Sequence, residues 1–162
     1  MNLKLDENLY NSIINYKNED VIERFIDKYN IDENEALSIF EETKKWLWLC
    51  HMGAIGEKKF SFIIDDSLLI IDEMWHNFIL FTKEYNDFCI NNFGYYMHHQ
   101  PTTKQDKNDW QKDPVKGLKE YKKKLQGQYE KVYDLLGEST LNKWYVYFAD
   151  KYTSAYIYSI IK

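Results

Sequence analysis

Three of the four histidines, His76, His98 and His99, lie in one stretch of the chain, residues 72–101. Asp72 precedes His76 by four residues, so on a helix the two side chains share a face. An aspartate in that position fixes the tautomer of the histidine and raises its basicity, or joins it as a ligand of a divalent metal. This pair is therefore the strongest candidate for chemistry in the chain.

A metal site needs at least three ligands, and the other donors of this chain are scattered. In an extended segment, His98 and His99 face opposite ways, so at most one of them joins Asp72 and His76. No CxxC or HExxH spacing is present. Two interpretations stay open: a divalent-metal site of Asp72, His76 and His98 or His99, and a polar pair that only stabilises the fold. We favour the second, because buried polar groups are normally partnered whether or not they act.

Cys89 is a further member of this candidate polar site. Its thiol and the imidazole of His98 or His99 are the residue types of a Cys–His nucleophile pair. Cys89 shares the apolar face of Phe88 and Phe93, however, where free cysteines are more often inert core residues. The pattern assigns no reaction and leaves open whether the protein is an enzyme.

Helices must position these residues, because apolar side chains recur at helical spacing and only 6 glycines and 2 prolines interrupt 162 residues. We predict an all-α fold: one compact domain, 1–162, of five to seven helices with two central helices at about 33–52 and 67–93. Predicted N-caps are Asn18, Asp32 and Asp113. We expect a bend at Thr82, a helix end at Gly94 and an exposed loop at 100–113.

The net charge of −5 makes nucleic acid an unlikely partner, since phosphate binding needs a basic surface. The lysines between Lys116 and Lys124 are expected to form a solvated helix face. No secretory signal or transmembrane run is expected, so we predict a cytoplasmic chain with reduced thiols and no membrane association. Aromatic residues make up 17% of the chain, and we expect the partner to be another protein.

Two motifs resemble a known family. D-x-x-W-H-x-F-I-L-x-T-x-x-Y-x-x-F-C at Asp72–Cys89 and F-G-x-x-x-H-H-x-P at Phe93–Pro101 are similar to the bacterial members of the glycine-rich domain-containing protein-like family. The resemblance covers about residues 33–101, and Asn77 stands where plant relatives carry a threonine. It implies that the Trp-His and His-His elements belong to one unit, and it implies no particular reaction.

Three classes of function follow. We expect a protein-interaction or adaptor module with a structural Asp–His cluster, because no complete catalytic set is visible. The alternative is a metal-binding protein or enzyme that uses Asp72, His76 and His98 or His99. A nucleic-acid binder using the lysines of the 116–124 region ranks last because of the acidic balance.

Overall fold

A computed structural model describes residues 6–100 and 112–162, and helices dominate both ranges. The helices are α1 (Glu7–Asn15), α2 (Glu19–Lys28), α3 (Glu33–Ile55), α4 (Leu69–Ile79), α5 (Thr82–Phe93), α6 (Pro114–Asn142) and α7 (Ser154–Ser159). A 3-10 turn, Asp66–Leu68, leads into α4. A π-helical segment, Lys143–Phe148, and one helical turn, Ala149–Lys151, connect α6 to α7. The predicted all-α bundle is confirmed.

The helix boundaries follow local sequence chemistry. The side chains of Asn18, Asp32 and Asp113 each accept a hydrogen bond from a backbone N–H in the first turn of α2, α3 and α6. The expected bend is present, since α4 ends at Ile79 and α5 begins at Thr82. Gly94 ends α5 with φ of 79°, a left-handed conformation that favours glycine. The predicted loop 100–113 lies largely outside the described residues.

The two central helices form the core, as predicted. The rings of Phe40 on α3 and Phe78 on α4 meet edge to face with centroids 5.3 Å apart. In its second half α3 is buried on nearly every side, because α1 and the π-helical segment also cover it: Trp48 packs against Tyr10 and Trp46 against Trp144. Across the described ranges, no helix is both long enough and apolar enough to span a bilayer.

A buried carboxylate joins α3 to the C-terminal part of the chain. Glu42 is 1% exposed, and its oxygens accept hydrogen bonds from Trp144 Nε1 at 2.8 Å and from Lys143 Nζ at 2.9 Å. Lys45, one turn along α3, also donates to it at 2.9 Å. Since a buried charge is costly without partners, these three donors are what make Glu42 tolerable in the core.

Truncating Glu42 should therefore destabilise the fold strongly. We expect Glu42→Ala to lower the free energy of unfolding by about 3 kcal/mol, because it leaves the buried Trp144 N–H without its acceptor and removes a carboxylate partner from both Lys45 and Lys143. Glu41→Ala is the matched control, since Glu41 is exposed and pairs with Lys45 at 3.3 Å on the surface of α3. That change should lower it by less than about 1 kcal/mol. Urea denaturation measures both, and equal losses would contradict the assignment.

Candidate metal centre

Asp72 is the centre of a cluster of three side chains. Its Oδ2 lies 3.4 Å from Nδ1 of His76, one turn further along α4. Its Oδ1 lies 2.9 Å from Nε2 of His99, which comes from the segment after α5. One donor atom from each of the three residues lies within 4.8 Å of the other two. Two imidazole nitrogens and a carboxylate are a common donor set for divalent transition metals.

His99 reaches α4 because two aromatic residues fix the segment that carries it. Tyr85 on α5 accepts a hydrogen bond from Trp75 Nε1 at 2.9 Å and donates one to the carbonyl oxygen of Met97 at 2.7 Å. The Trp75 indole also stacks on the imidazole of His99, with centroids 4.0 Å apart and planes 24° apart. Trp75 thus packs in the core and also stacks against His99.

The other two residues of the predicted polar site, His98 and Cys89, are not part of this cluster. His98 is exposed, and its ring packs against Tyr96 with centroids 4.9 Å apart. Cys89 is fully buried on α5, and burial raises the pKa of its thiol. His51 stacks on Phe93, with centroids 4.9 Å apart, and burial lowers its pKa. The cluster identified among the described residues therefore contains Asp72, His76 and His99, with neither His98 nor Cys89.

The degree of exposure differs within the cluster. The His76 side chain is 53% exposed, whereas Asp72 is 23% and His99 17% exposed. Asp72 and His99 are thus held within the protein, and His76 covers them from the solvent side. An ion bound by the three would be reachable from outside.

A cleft of about 820 Å³ opens beside the cluster, and Asp72, His76, His98 and His99 line it. Another wall of the cleft is the segment 59–64, which has no regular secondary structure. The Phe60 N–H donates to the carbonyl oxygen of Gly53 at 2.9 Å, which fastens this segment to the end of α3. The cleft volume lies within the range of ligand sites in proteins.

Segment 59–64 is also held from α6. The Gln128 amide accepts from the Ile63 N–H at 2.8 Å and donates to the Ile63 carbonyl at 2.9 Å. Sequence reasoning missed this wall and the bridging role of Tyr85. Ile63 and Gln128 are 65 positions apart, so their contact produces no local periodic pattern in the sequence. The sequence around a tyrosine likewise does not indicate which groups its hydroxyl will bind.

Family comparison covers most of the chain. The model of the UCP032817-like family matches residues 10–134. The chain belongs to this family. No curated protein and no solved structure matches this chain. The matched range includes the whole candidate centre and both walls of the cleft, which are therefore built from the part of the chain that the family defines.

The expected membership of the glycine-rich domain-containing protein-like family is wrong, because the matching family is UCP032817-like. The motif residues on which that resemblance was based lie in one short stretch of the sequence, 72–101. There, Trp75, Tyr85 and His99 hold one another by stacking and hydrogen bonding, so the local geometry itself constrains the residue types. The family match is also broader than the expected core of about 33–101.

The Tyr85 bridge yields a stability prediction. Tyr85→Phe leaves the Trp75 N–H and the Met97 carbonyl oxygen buried without this partner, so we expect a loss of about 1–3 kcal/mol in the free energy of unfolding. Tyr96→Phe is the control, since its ring packs against Tyr85 with centroids 5.3 Å apart, but its hydroxyl is outside the bridge. It should change stability by less than about 0.5 kcal/mol in urea denaturation. Similar losses in both variants would refute the bridge.

The cleft wall yields a second prediction, in which two glycines respond with opposite sign. A Cβ on Gly53 would collide with the Phe60 carbonyl oxygen and lie 2.7 Å from the Phe62 ring. Gly53→Ala should therefore cost about 1–3 kcal/mol. A Cβ on Gly127, inside α6, would meet the Phe60 ring at 3.4 Å, an ordinary contact. Gly127→Ala should thus stabilise by about 0.5–1 kcal/mol through helix propensity. Thermal and urea unfolding measure both, and the same sign for both changes would contradict the packing.

Proposed function

We propose that the protein binds one divalent transition-metal ion through Asp72, His76 and His99. The observation that carries the proposal is the convergence of a carboxylate and two imidazoles, with donor atoms within 4.8 Å of one another. Two of these residues come from one helical face and the third from a segment that is fixed separately. The three side chains meet only in the folded protein, because His99 is distant in sequence from α4. Asp72 and His76, by contrast, would be neighbours on any helix.

The distances support a shared ion. Two donor atoms bound to one ion at about 2.1 Å lie about 3.0 Å apart at an octahedral angle and about 3.4 Å apart at a tetrahedral angle. Asp72 Oδ1 lies 2.9 Å from His99 Nε2, and Asp72 Oδ2 lies 3.4 Å from His76 Nδ1. Because the three donor atoms lie within 4.8 Å of one another, the exposed His76 side chain is the one that must rotate to bring all three onto a single ion.

The donor set indicates the class of ion and its use. Mixed imidazole and carboxylate ligands suit zinc, iron, cobalt or manganese better than calcium or magnesium, which prefer oxygen. Structural zinc sites are closed by four protein ligands, whereas catalytic sites hold the ion by three and leave a position open. An ion held by Asp72, His76 and His99 would act as a Lewis acid toward a molecule in the cleft.

The competing interpretation is a polar cluster that only stabilises the fold. It explains the contact between Asp72 and His99, which are both largely covered. It explains His76 poorly, because an ion pair with a half-exposed histidine contributes about 0–1 kcal/mol at most. A metal ligand, by contrast, is expected at the mouth of a cleft.

The protein-interaction function expected from the sequence stays a prediction with weaker support. It depends on a contiguous exposed aromatic surface. Trp46, Trp48, Trp75 and Trp144 are all buried, so none of these four contributes to such a surface. Exposed tyrosines such as Tyr133, Tyr147 and Tyr158 are the remaining candidates.

Metal analysis of the untagged protein tests the proposal. We expect about one equivalent of zinc, iron, cobalt or manganese after dialysis, measured by inductively coupled plasma mass spectrometry. At a free-metal concentration of one hundred times the Kd, the ion should stabilise the fold by about 2.7 kcal/mol. Asp72→Asn, His76→Gln and His99→Gln should each lower the affinity at least tenfold.

His98→Gln is the matched control, since His98 adjoins His99 but packs against Tyr96. It should keep full metal content. The metal-free unfolding of His76→Gln separates binding from folding, because an exposed side chain should barely affect it. Substoichiometric metal in the parent protein, or equal losses in His98→Gln and His99→Gln, would end the proposal.

A further inference from the structure

We propose that the cleft binds a small organic acid with an apolar body, whose anionic head enters the coordination sphere of the metal. This inference rests on the proposed metal binding and adds the chemical class of the ligand. It comes from three properties of the cleft: the character of its walls, the charges along it and the place of the candidate metal centre within it.

The walls are mostly apolar. Aromatic and aliphatic side chains from α3, α4, the segment 59–64 and the segment after α5 line the cleft. They include Trp46, Phe60, Phe62, Leu69, Trp75 and Met97. A volume of about 820 Å³ holds a small organic molecule, and a wall of this kind favours an apolar body such as a phenyl ring or a branched chain.

The charges along the cleft select an anion. Of the described residues that line it, only Asp72 and Lys59 are charged. With the ion bound, two positive charges from the metal and one from Lys59 face a single carboxylate. The loaded cleft is therefore positive, although the whole chain carries a net charge of −5. That positive charge attracts an anionic group.

The candidate metal centre fixes where the anionic group binds. His76 and Asp72 belong both to the ligand cluster and to the cleft lining. An ion held there by three protein ligands has open positions, and the cleft is the space next to it. A carboxylate oxygen is an ordinary ligand for such an ion. The anionic head of the organic acid would therefore bind the ion, and its apolar body would lie against the cleft walls.

Calorimetric titration of the zinc-loaded protein with three matched probes tests the inference. Phenylacetate carries body and charge, acetate carries the charge alone, and phenylacetamide has the same body without the charge. We expect phenylacetate to bind about 10- to 100-fold more tightly than acetate, from burial of the ring. It should also bind more tightly than phenylacetamide. In the cobalt-loaded protein, phenylacetate should change the visible spectrum and phenylacetamide should leave it unaltered.

Two pairs of variants locate the ligand. Lys59→Met removes the cation on the cleft and should weaken phenylacetate about 2- to 5-fold, whereas Lys58→Met, outside the cleft lining, should have no effect. Ser61 is an exposed residue of the cleft wall. Ser61→Trp should fill the space and reduce phenylacetate to the affinity of acetate, with zinc content unchanged. Ser154→Trp, on exposed α7 surface, controls for adding an indole.

The outcomes separate this inference from the proposed function. A protein that takes up no metal ends both. A protein that binds one equivalent of zinc but binds phenylacetate no better than acetate, or no better than phenylacetamide, keeps the metal site and overturns the ligand class. Equal binding of phenylacetate to the zinc-free protein overturns it as well, because the anionic head would then not depend on the ion.

Discussion

The hydroxyl of Tyr85 accepts a hydrogen bond from the Trp75 indole and donates one to the Met97 carbonyl oxygen, and the candidate centre depends on this bridge. It joins α4, α5 and the segment after Gly94 at one buried point. Backbone position 97 is thereby held beside α4. His99 lies two residues further on and contacts Asp72 at 2.9 Å. Without the bridge, Asp72 and His76 would be an ordinary pair on a helix surface.

Other aromatic residues around the candidate centre are also held by a hydrogen bond from their polar group. In each case the acceptor is a glutamate on a helix that is distant in sequence. The Tyr29 hydroxyl donates to Glu73, and the Tyr152 hydroxyl donates to Glu35. Burial and these carboxylates raise the pKa of both phenols, which therefore remain protonated donors across the ordinary pH range. Glu42 likewise accepts a hydrogen bond from the indole N–H of Trp144. At these three positions a hydrogen bond to one particular glutamate therefore fixes which helices pack together.

Sequence predicted what local chemistry determines. Asn18 and Asp32 cap their helices, Thr82 begins a new one and Gly94 ends it, because caps and left-handed turns depend on a few adjacent residues. The i, i+4 pairing on α4 is local in the same sense. What escaped prediction is long-range: which histidine of the adjacent pair meets Asp72, and the cleft wall of residues 59–64. Both depend on contacts between residues that are tens of positions apart in the sequence. Periodicity in a single sequence does not reveal such contacts.

The charge distribution explains why an acidic protein would carry a site for an anion. Acidic residues outnumber basic ones by 26 to 21, yet among the described residues of the cleft lining Asp72 is the single acidic one. That carboxylate contacts two imidazoles, those of His76 and His99. A cleft that only needed to be hydrated would tolerate further acids on its walls. The largely apolar walls with one lysine therefore leave the electrostatics of the cleft to the ion that we propose Asp72, His76 and His99 bind.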